Sequence, residues 1–95
     1  MQVNQIISDI KNYLNGIAYN RCYVGITNNA RRRLFEEHLV NEKSGVWIYR
    51  VAESENIARE IEEYFLNLGM NGDTGGGSEE CQIIYAYLKT TTTKP

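Results

Sequence analysis

The sequence has few of the residue types that build metal clusters, disulfide frameworks or membrane spans. Among 95 residues there are one histidine, two cysteines and one proline. Neither Cys22 nor Cys81 has another cysteine or a histidine at the spacing of a metal motif, which excludes a zinc-finger type of site. No apolar run approaches the roughly 20 residues that a membrane-spanning helix needs. These absences leave a small globular domain without a structural metal.

The first residues, Met1 to Asn4, carry no basic group of the kind that opens a signal peptide. We therefore expect a cytoplasmic protein with no membrane partner. In that compartment both cysteines are expected to be reduced and to behave as small buried hydrophobic residues.

Charge is low overall but uneven along the chain. The formal net charge is −2, with +3 on residues 1–50 and −5 on residues 51–95. A basic half that faces an acidic half is typical of a phosphate-contacting surface beside a metal-binding carboxylate. Chance gives the same distribution in many small domains, so the charge pattern alone leaves both interpretations open.

Hydrophobic periodicity predicts helices and strands in alternation. Helices are predicted over residues 2–15, 30–42 and 54–68, and strands over residues 21–27, 46–51 and 82–88. The economical arrangement is an α+β domain in which helices flank a small three-stranded sheet. Residues 1–89 are expected to form this single domain, and residues 90–95 a frayed polar tail. Exposed sheet edges leave open a homodimer formed across an edge.

The segment from Tyr23 to Leu34 is the most informative part of the sequence. The predicted strand that contains Gly25 leads through Thr27, Asn28 and Asn29 into a predicted helix, whose first N–H groups could bind an anion. Arginines at positions 31, 32 and 33 add charged donors for phosphate. The alternative is a capped helix with a solvated basic face.

Two spaced motifs resemble those of the GIY-YIG nuclease family. The first comprises Tyr23, Gly25, Thr27, Asn29, Arg33, Leu34, Glu37 and His38. The second lies in the third predicted helix and comprises Ala58, Glu62, Phe65 and Leu66. Together they cover roughly residues 22–72, with a strand between them as in the family.

This resemblance implies a small three-stranded sheet with flanking helices and an endonuclease that hydrolyses DNA phosphodiester bonds. Tyr23 and Arg33 would be catalytic, with His38 and Tyr19 as further candidates. Glu62 would hold one divalent cation, Mg²⁺ or Mn²⁺. Residues expected to contact the nucleic acid are Thr27, Asn29, Arg31 and Arg32.

Helical geometry independently selects Glu62 among the neighbouring acids. At about 100° per residue, Glu62 lies on the border of the apolar stripe, whereas Glu60 and Glu63 turn toward the polar face. The same geometry does not separate the arginines: the family spacing favours Arg33, and periodicity alone leaves Arg31 open.

The sequence departs from the family pattern in two places. The strand that bears Gly-Ile-Tyr in the family is represented only by Gly16 to Tyr19, or is absent. His38 falls one residue later than the commonest spacing. The alternative function is therefore an inactive domain of this kind that binds nucleic acid, a nucleotide or a protein partner, such as an inhibitor from a virus or mobile element. The glycine-rich loop over residues 72–78 is interpreted as a connection or as a nucleic-acid-facing rim.

Overall fold

A computed structural model describes residues 2–72 and 81–95. Its centre is a three-stranded antiparallel sheet of β1 (Cys22–Thr27), β2 (Trp47–Val51) and β3 (Ile83–Leu88), in the order β1-β3-β2. The prediction of an α+β domain with helices flanking a small three-stranded sheet is confirmed. The last strand of the sequence is therefore the central strand, and it places its side chains between those of the other two.

Strand register gathers aromatic residues on one face of the sheet. Tyr23 and Trp47 flank Tyr87, and Gly25 and Tyr49 flank Tyr85. Because side chains alternate between the two faces of a strand, these residues all project to the same side. Tyr85 and Tyr87 are fully buried there.

Two α-helices cover the opposite face: α1 (Val3–Tyr13) and α2 (Glu55–Asn67). The core on this side includes Ile6, Ile10, Val24, Ile61, Phe65 and Ile84. Ser54 begins α2 by accepting a hydrogen bond from the Ile57 N–H, as its position before the apolar run predicts. Gly16 follows α1 with a φ of +87°, the conformation that glycine adopts without a Cβ penalty.

The second predicted helix differs from the one observed. The structure has a π-helical segment at Arg32–Glu37 in place of an α-helix over residues 30–42. The chain leaves the segment at Leu39, whose φ is +60°. The Val40 N–H then donates to the Leu34 carbonyl, and both side chains are buried against the aromatic face of the sheet. Burial of Val40 thus outweighs local helix propensity.

The C-terminal tail also differs from the prediction of a frayed end. The Thr90 N–H donates to Thr93 Oγ1, and the Lys94 N–H donates to the His38 carbonyl at 2.7 Å. Lys94 therefore lies against His38, directly after the π-helical segment. The glycine-rich loop predicted over residues 72–78 lies outside the described residues apart from Gly72. Within the described parts of the chain, no helix is long and apolar enough to cross a membrane.

Candidate active site

A cleft of about 540 Å³ opens where the aromatic face of the sheet meets the π-helical segment. Its lining comprises Tyr23, Arg33, Glu37, His38, Gly72, Lys94 and Pro95. Three of the sequence-predicted catalytic residues, Tyr23, Arg33 and His38, thus surround one concave surface. They come from β1 and from the segment that follows it.

His38 is the centre of a buried hydrogen-bond network. Only 4% of its surface is exposed. Its Nδ1 lies 2.8 Å from the Lys94 carbonyl oxygen and 3.0 Å from the Tyr87 hydroxyl, and its Nε2 lies 2.7 Å from the Tyr85 hydroxyl. A carbonyl oxygen only accepts, so Nδ1 carries the proton and Tyr85 donates to Nε2. In this arrangement, Nε2 is a proton acceptor for a tyrosine.

The Tyr85 hydroxyl also receives a hydrogen bond from Arg33. Burial raises the pKa of Tyr85, and the charge and hydrogen bond of Arg33 oppose that shift. Burial works to lower the pKa of Arg33, but hydrogen bonds with Glu37 and Tyr85 raise it overall. Arg33 is therefore a permanent cation in contact with the tyrosine that donates to His38.

The π-helical geometry explains how Arg33 and His38 reach the same cleft. The His38 N–H donates to the Arg33 carbonyl at 2.8 Å, a bond between residues five apart. In an α-helix, residues five apart point in widely different directions, whereas the wider π turn brings them closer to one face. The extra residue before His38, which departs from the family spacing, is accommodated by this turn.

Tyr23 packs its ring against the network. Its ring centroid is 4.7 Å from that of His38, 5.4 Å from that of Tyr87 and 6.4 Å from that of Tyr85. The tyrosine predicted from the YIG-like motif therefore lies beside the only histidine of the sequence. The cross-strand register of β1 and β3 produces this contact.

The other residues of the basic segment have local partners. Thr27 Oγ1 accepts from the Asn29 N–H, and Asn29 Oδ1 accepts from the Arg32 N–H, so both side chains bond to the main chain at or before the start of the π-helical segment. Arg32 forms an ion pair with Glu37, and Arg31 forms one with Glu42 at 2.7 Å. Predicted contacts of these residues with nucleic acid stay predictions.

Glu62 lies on α2 and is 3% exposed, in contrast to the exposed Glu60 and Glu63. This burial agrees with the position derived from the helical period. The negative charge of Glu62 helps to raise the pKa of Tyr85 and the pKa of Arg59. Among the residues that the structure describes, Glu62 is not one of those that line the cleft with Tyr23, Arg33 and His38.

Tyr19, also predicted to be catalytic, does not line this cleft. It belongs to the short 3₁₀ turn Tyr19–Arg21 and places its ring 6.3 Å from Phe65, among the residues between the sheet and the α-helices. It also lines a separate depression with Lys11 and Gly16. The structure thus groups Tyr23 with Tyr85 and Tyr87 instead of with Tyr19.

Sequence reasoning missed Tyr85 and Tyr87 as site residues. Their position on a predicted strand favours core aromatics, or aromatics that face a base, and their closeness to His38 depends on contacts between residues 47 and 49 positions apart. The available signal was their alternation on one strand face, which puts two hydroxyls on the same side of the sheet.

Burial of His38 makes the stability of the protein pH-dependent. Desolvation lowers the pKa of His38 below its usual value of 6.5, although the Lys94 carbonyl and Glu37 work to raise it. Between the folded and unfolded pKa values, the unfolded chain binds the extra proton. The free energy of unfolding should therefore fall as pH drops below about 6.5.

Urea denaturation between pH 8 and 5 measures this dependence. In the His38→Gln variant the part of the slope due to the imidazole should disappear, since this sequence has no other histidine. An unchanged slope in that variant would assign the pH dependence to other groups.

Comparisons of this chain with protein-family models, with curated proteins and with solved structures find no match.

Proposed function

We propose that this chain is a metal-dependent endonuclease of the GIY-YIG type that hydrolyses DNA phosphodiester bonds. The observation that carries the proposal is the grouping of Tyr23, Arg33 and His38 around one cleft. These residues were selected from their spacing in the sequence, before any contact between them was known. Their proximity in the fold therefore supports the family resemblance independently.

Arg33 is the phosphate-binding group in this proposal. Its guanidinium lies 2.5 Å from a Glu37 carboxylate oxygen, and its side chain is 32% exposed. It therefore already binds an oxyanion at the cleft, and a DNA phosphate would compete with Glu37 for it. Arginine donors aimed at phosphoryl oxygens stabilise the charge that develops during hydrolysis.

Tyr23 and His38 would act on the attacking water. Tyr23, at the cleft, would orient the water, and His38, which also lines the cleft, would take the proton that the water loses as it attacks phosphorus. Tyr85 is fully buried and does not line the cleft, so it would hold the His38 ring through its hydrogen bond to Nε2 and would not contact the water.

Glu62 would hold the single cation, Mg²⁺ or Mn²⁺. Among the residues that the structure describes, no group of three metal-binding side chains occurs. A single buried carboxylate still fits this use, because Mg²⁺ commonly binds through one or two carboxylates together with water and substrate phosphate. When bound, the cation would polarise the phosphate and stabilise the leaving oxygen.

The proposal predicts different results for two neighbouring arginines in a plasmid-nicking assay. Arg33→Ala should lower the Mg²⁺-dependent nicking rate by about 100-fold or more, the usual effect of removing a donor that stabilises transition-state charge. Arg32→Ala removes the same charge from outside the cleft lining, so it should lower the rate much less than Arg33→Ala does. Equal rates in the two variants would count against this site.

The second candidate function is a catalytically inactive domain that binds a nucleic acid, a nucleotide or a protein. The observation that favours it is the pairing of Arg31, Arg32 and Arg33 with Glu42 or Glu37, which reduces the positive potential of the basic segment. A gel shift across a salt series separates the candidates when cutting is absent. Affinity for DNA that falls steeply with salt indicates phosphate binding.

A further inference from the structure

Residues 89–95 return to the sheet through an ordered set of hydrogen bonds. The Lys89 N–H donates to the Arg21 carbonyl at 2.8 Å directly after β3. Thr93 Oγ1 then accepts from the Thr90 N–H and donates to the Thr90 carbonyl. The threonine run thus forms a closed turn that directs the chain back over the aromatic face.

Beyond this turn, Lys94 holds His38 at two points through its main chain alone. The Lys94 N–H donates to the His38 carbonyl at 2.7 Å, and the Lys94 carbonyl accepts from His38 Nδ1 at 2.8 Å. The Lys94 side chain takes no part in either bond. The contact therefore fixes both the backbone and the ring of His38.

We infer that the main chain of Lys94 is a positioning element of the candidate site, which holds His38 in the tautomer with Nδ1 protonated so that Nε2 accepts from Tyr85. This inference rests on the proposed function for its catalytic consequence, but the tautomer itself does not. Without the Lys94 carbonyl, Nδ1 would keep only the Tyr87 hydroxyl at 3.0 Å, which can donate as well as accept, so Nε2 could carry the proton instead. Nε2 would then no longer accept from Tyr85, and it would have no free lone pair with which to take a proton.

A matched pair of variants separates the main chain of Lys94 from its side chain. Lys94→Pro removes the N–H that anchors this part of the main chain to the His38 carbonyl, because proline has no N–H, and so releases the Lys94 carbonyl from its position at Nδ1. Lys94→Ala keeps the main-chain N–H and carbonyl and removes only the amine and the aliphatic part of the side chain beyond Cβ. Thr93→Ala is a second variant, which loosens the turn without touching Lys94 and serves if Lys94→Pro fails to fold.

The measurement is the pair of imidazole ¹⁵N chemical shifts at a pH where the ring is neutral. The sequence has one histidine, so the signals belong to His38 without assignment experiments. In the wild type and in Lys94→Ala, Nδ1 should give the shift of a protonated nitrogen and Nε2 that of an unprotonated one. In Lys94→Pro this separation should shrink or invert, and Thr93→Ala should show a smaller change in the same direction.

The nicking rate provides the second readout. In Lys94→Pro, kcat should fall by roughly 10- to 100-fold, part of the effect of a positioned proton-transfer group. Lys94→Ala removes a cation from the cleft lining, so it should raise KM for DNA more than it lowers kcat. A wild type with Nε2 protonated, or a folded Lys94→Pro variant with unchanged shifts, would overturn the inference. The expected shifts in a wild type that does not cut DNA would support the tautomer and contradict the proposed endonuclease.

Discussion

The Glu62→Gln variant is expected to lose Mg²⁺-dependent nicking activity, with a rate at least about 100-fold below that of the wild type. A bound cation supplies several kcal/mol of transition-state stabilisation, and each 1.36 kcal/mol corresponds to a factor of ten in rate. Glutamine has nearly the same shape as glutamate, so it fills the same buried space on α2 while removing the charge. Nicked and supercoiled plasmid, separated on a gel over time, give the rate.

Glu63→Gln is the matched control for this variant. Glu63 is the next residue of α2 and is exposed, whereas Glu62 is 3% exposed. The control loses the same charge and should cut at close to the wild-type rate. If Glu62→Gln cuts as fast as Glu63→Gln, the cation is held by other residues and the role of Glu62 is wrong.

Replacement of Gly25 by alanine should markedly lower the free energy of unfolding, because it adds a methyl group where β1 packs closely against β3. A Cβ at Gly25 would lie 2.5 Å from the Tyr85 hydroxyl oxygen, 2.7 Å from Cζ and 2.9 Å from Cε1. Tyr85 is fully buried on the central strand and has little room to move. Overpacking of this kind costs about 1–3 kcal/mol, and occasionally more, out of a total of roughly 5–15 kcal/mol for a small domain.

The clash with Tyr85 can be isolated by a double-mutant cycle in urea denaturation. In a Tyr85→Leu background, the atoms that Cβ would meet are gone, so Gly25→Ala should cost much less than it does in the wild type. The same displacement of Tyr85 should reduce nicking, because its hydroxyl bonds to His38 at 2.7 Å. An equal cost in both backgrounds would show that Gly25 is needed for a reason other than space for Tyr85.

The period-two and period-3.6 patterns were sufficient to predict most of the fold. Alternation in the first strand places Cys22, Val24 and Ile26 on one face, and all three are buried on the side of the α-helices. The helical period also selected Glu62 over its exposed neighbours. Such patterns succeed because local geometry decides which face a residue occupies.

The same patterns could not predict the conformation around His38. The π-helical segment depends on burial of Val40 and on the bond between His38 and Tyr85, which joins residues 47 positions apart. The Lys94 contact depends on a turn that threonine side chains form in the residues that follow β3. These features are set by tertiary contacts, and spacing within one segment carries no information about them.

The most direct test of the central claim is the incubation of purified wild-type protein with supercoiled plasmid across a range of Mg²⁺ and Mn²⁺ concentrations. A cleft that groups Tyr23, Arg33 and His38, together with the proposed cation at Glu62, predicts nicked circles that increase with time and with cation, and that do not form when EDTA is present. Supercoiled DNA that remains intact with folded wild-type protein at every concentration of both cations would contradict the claim.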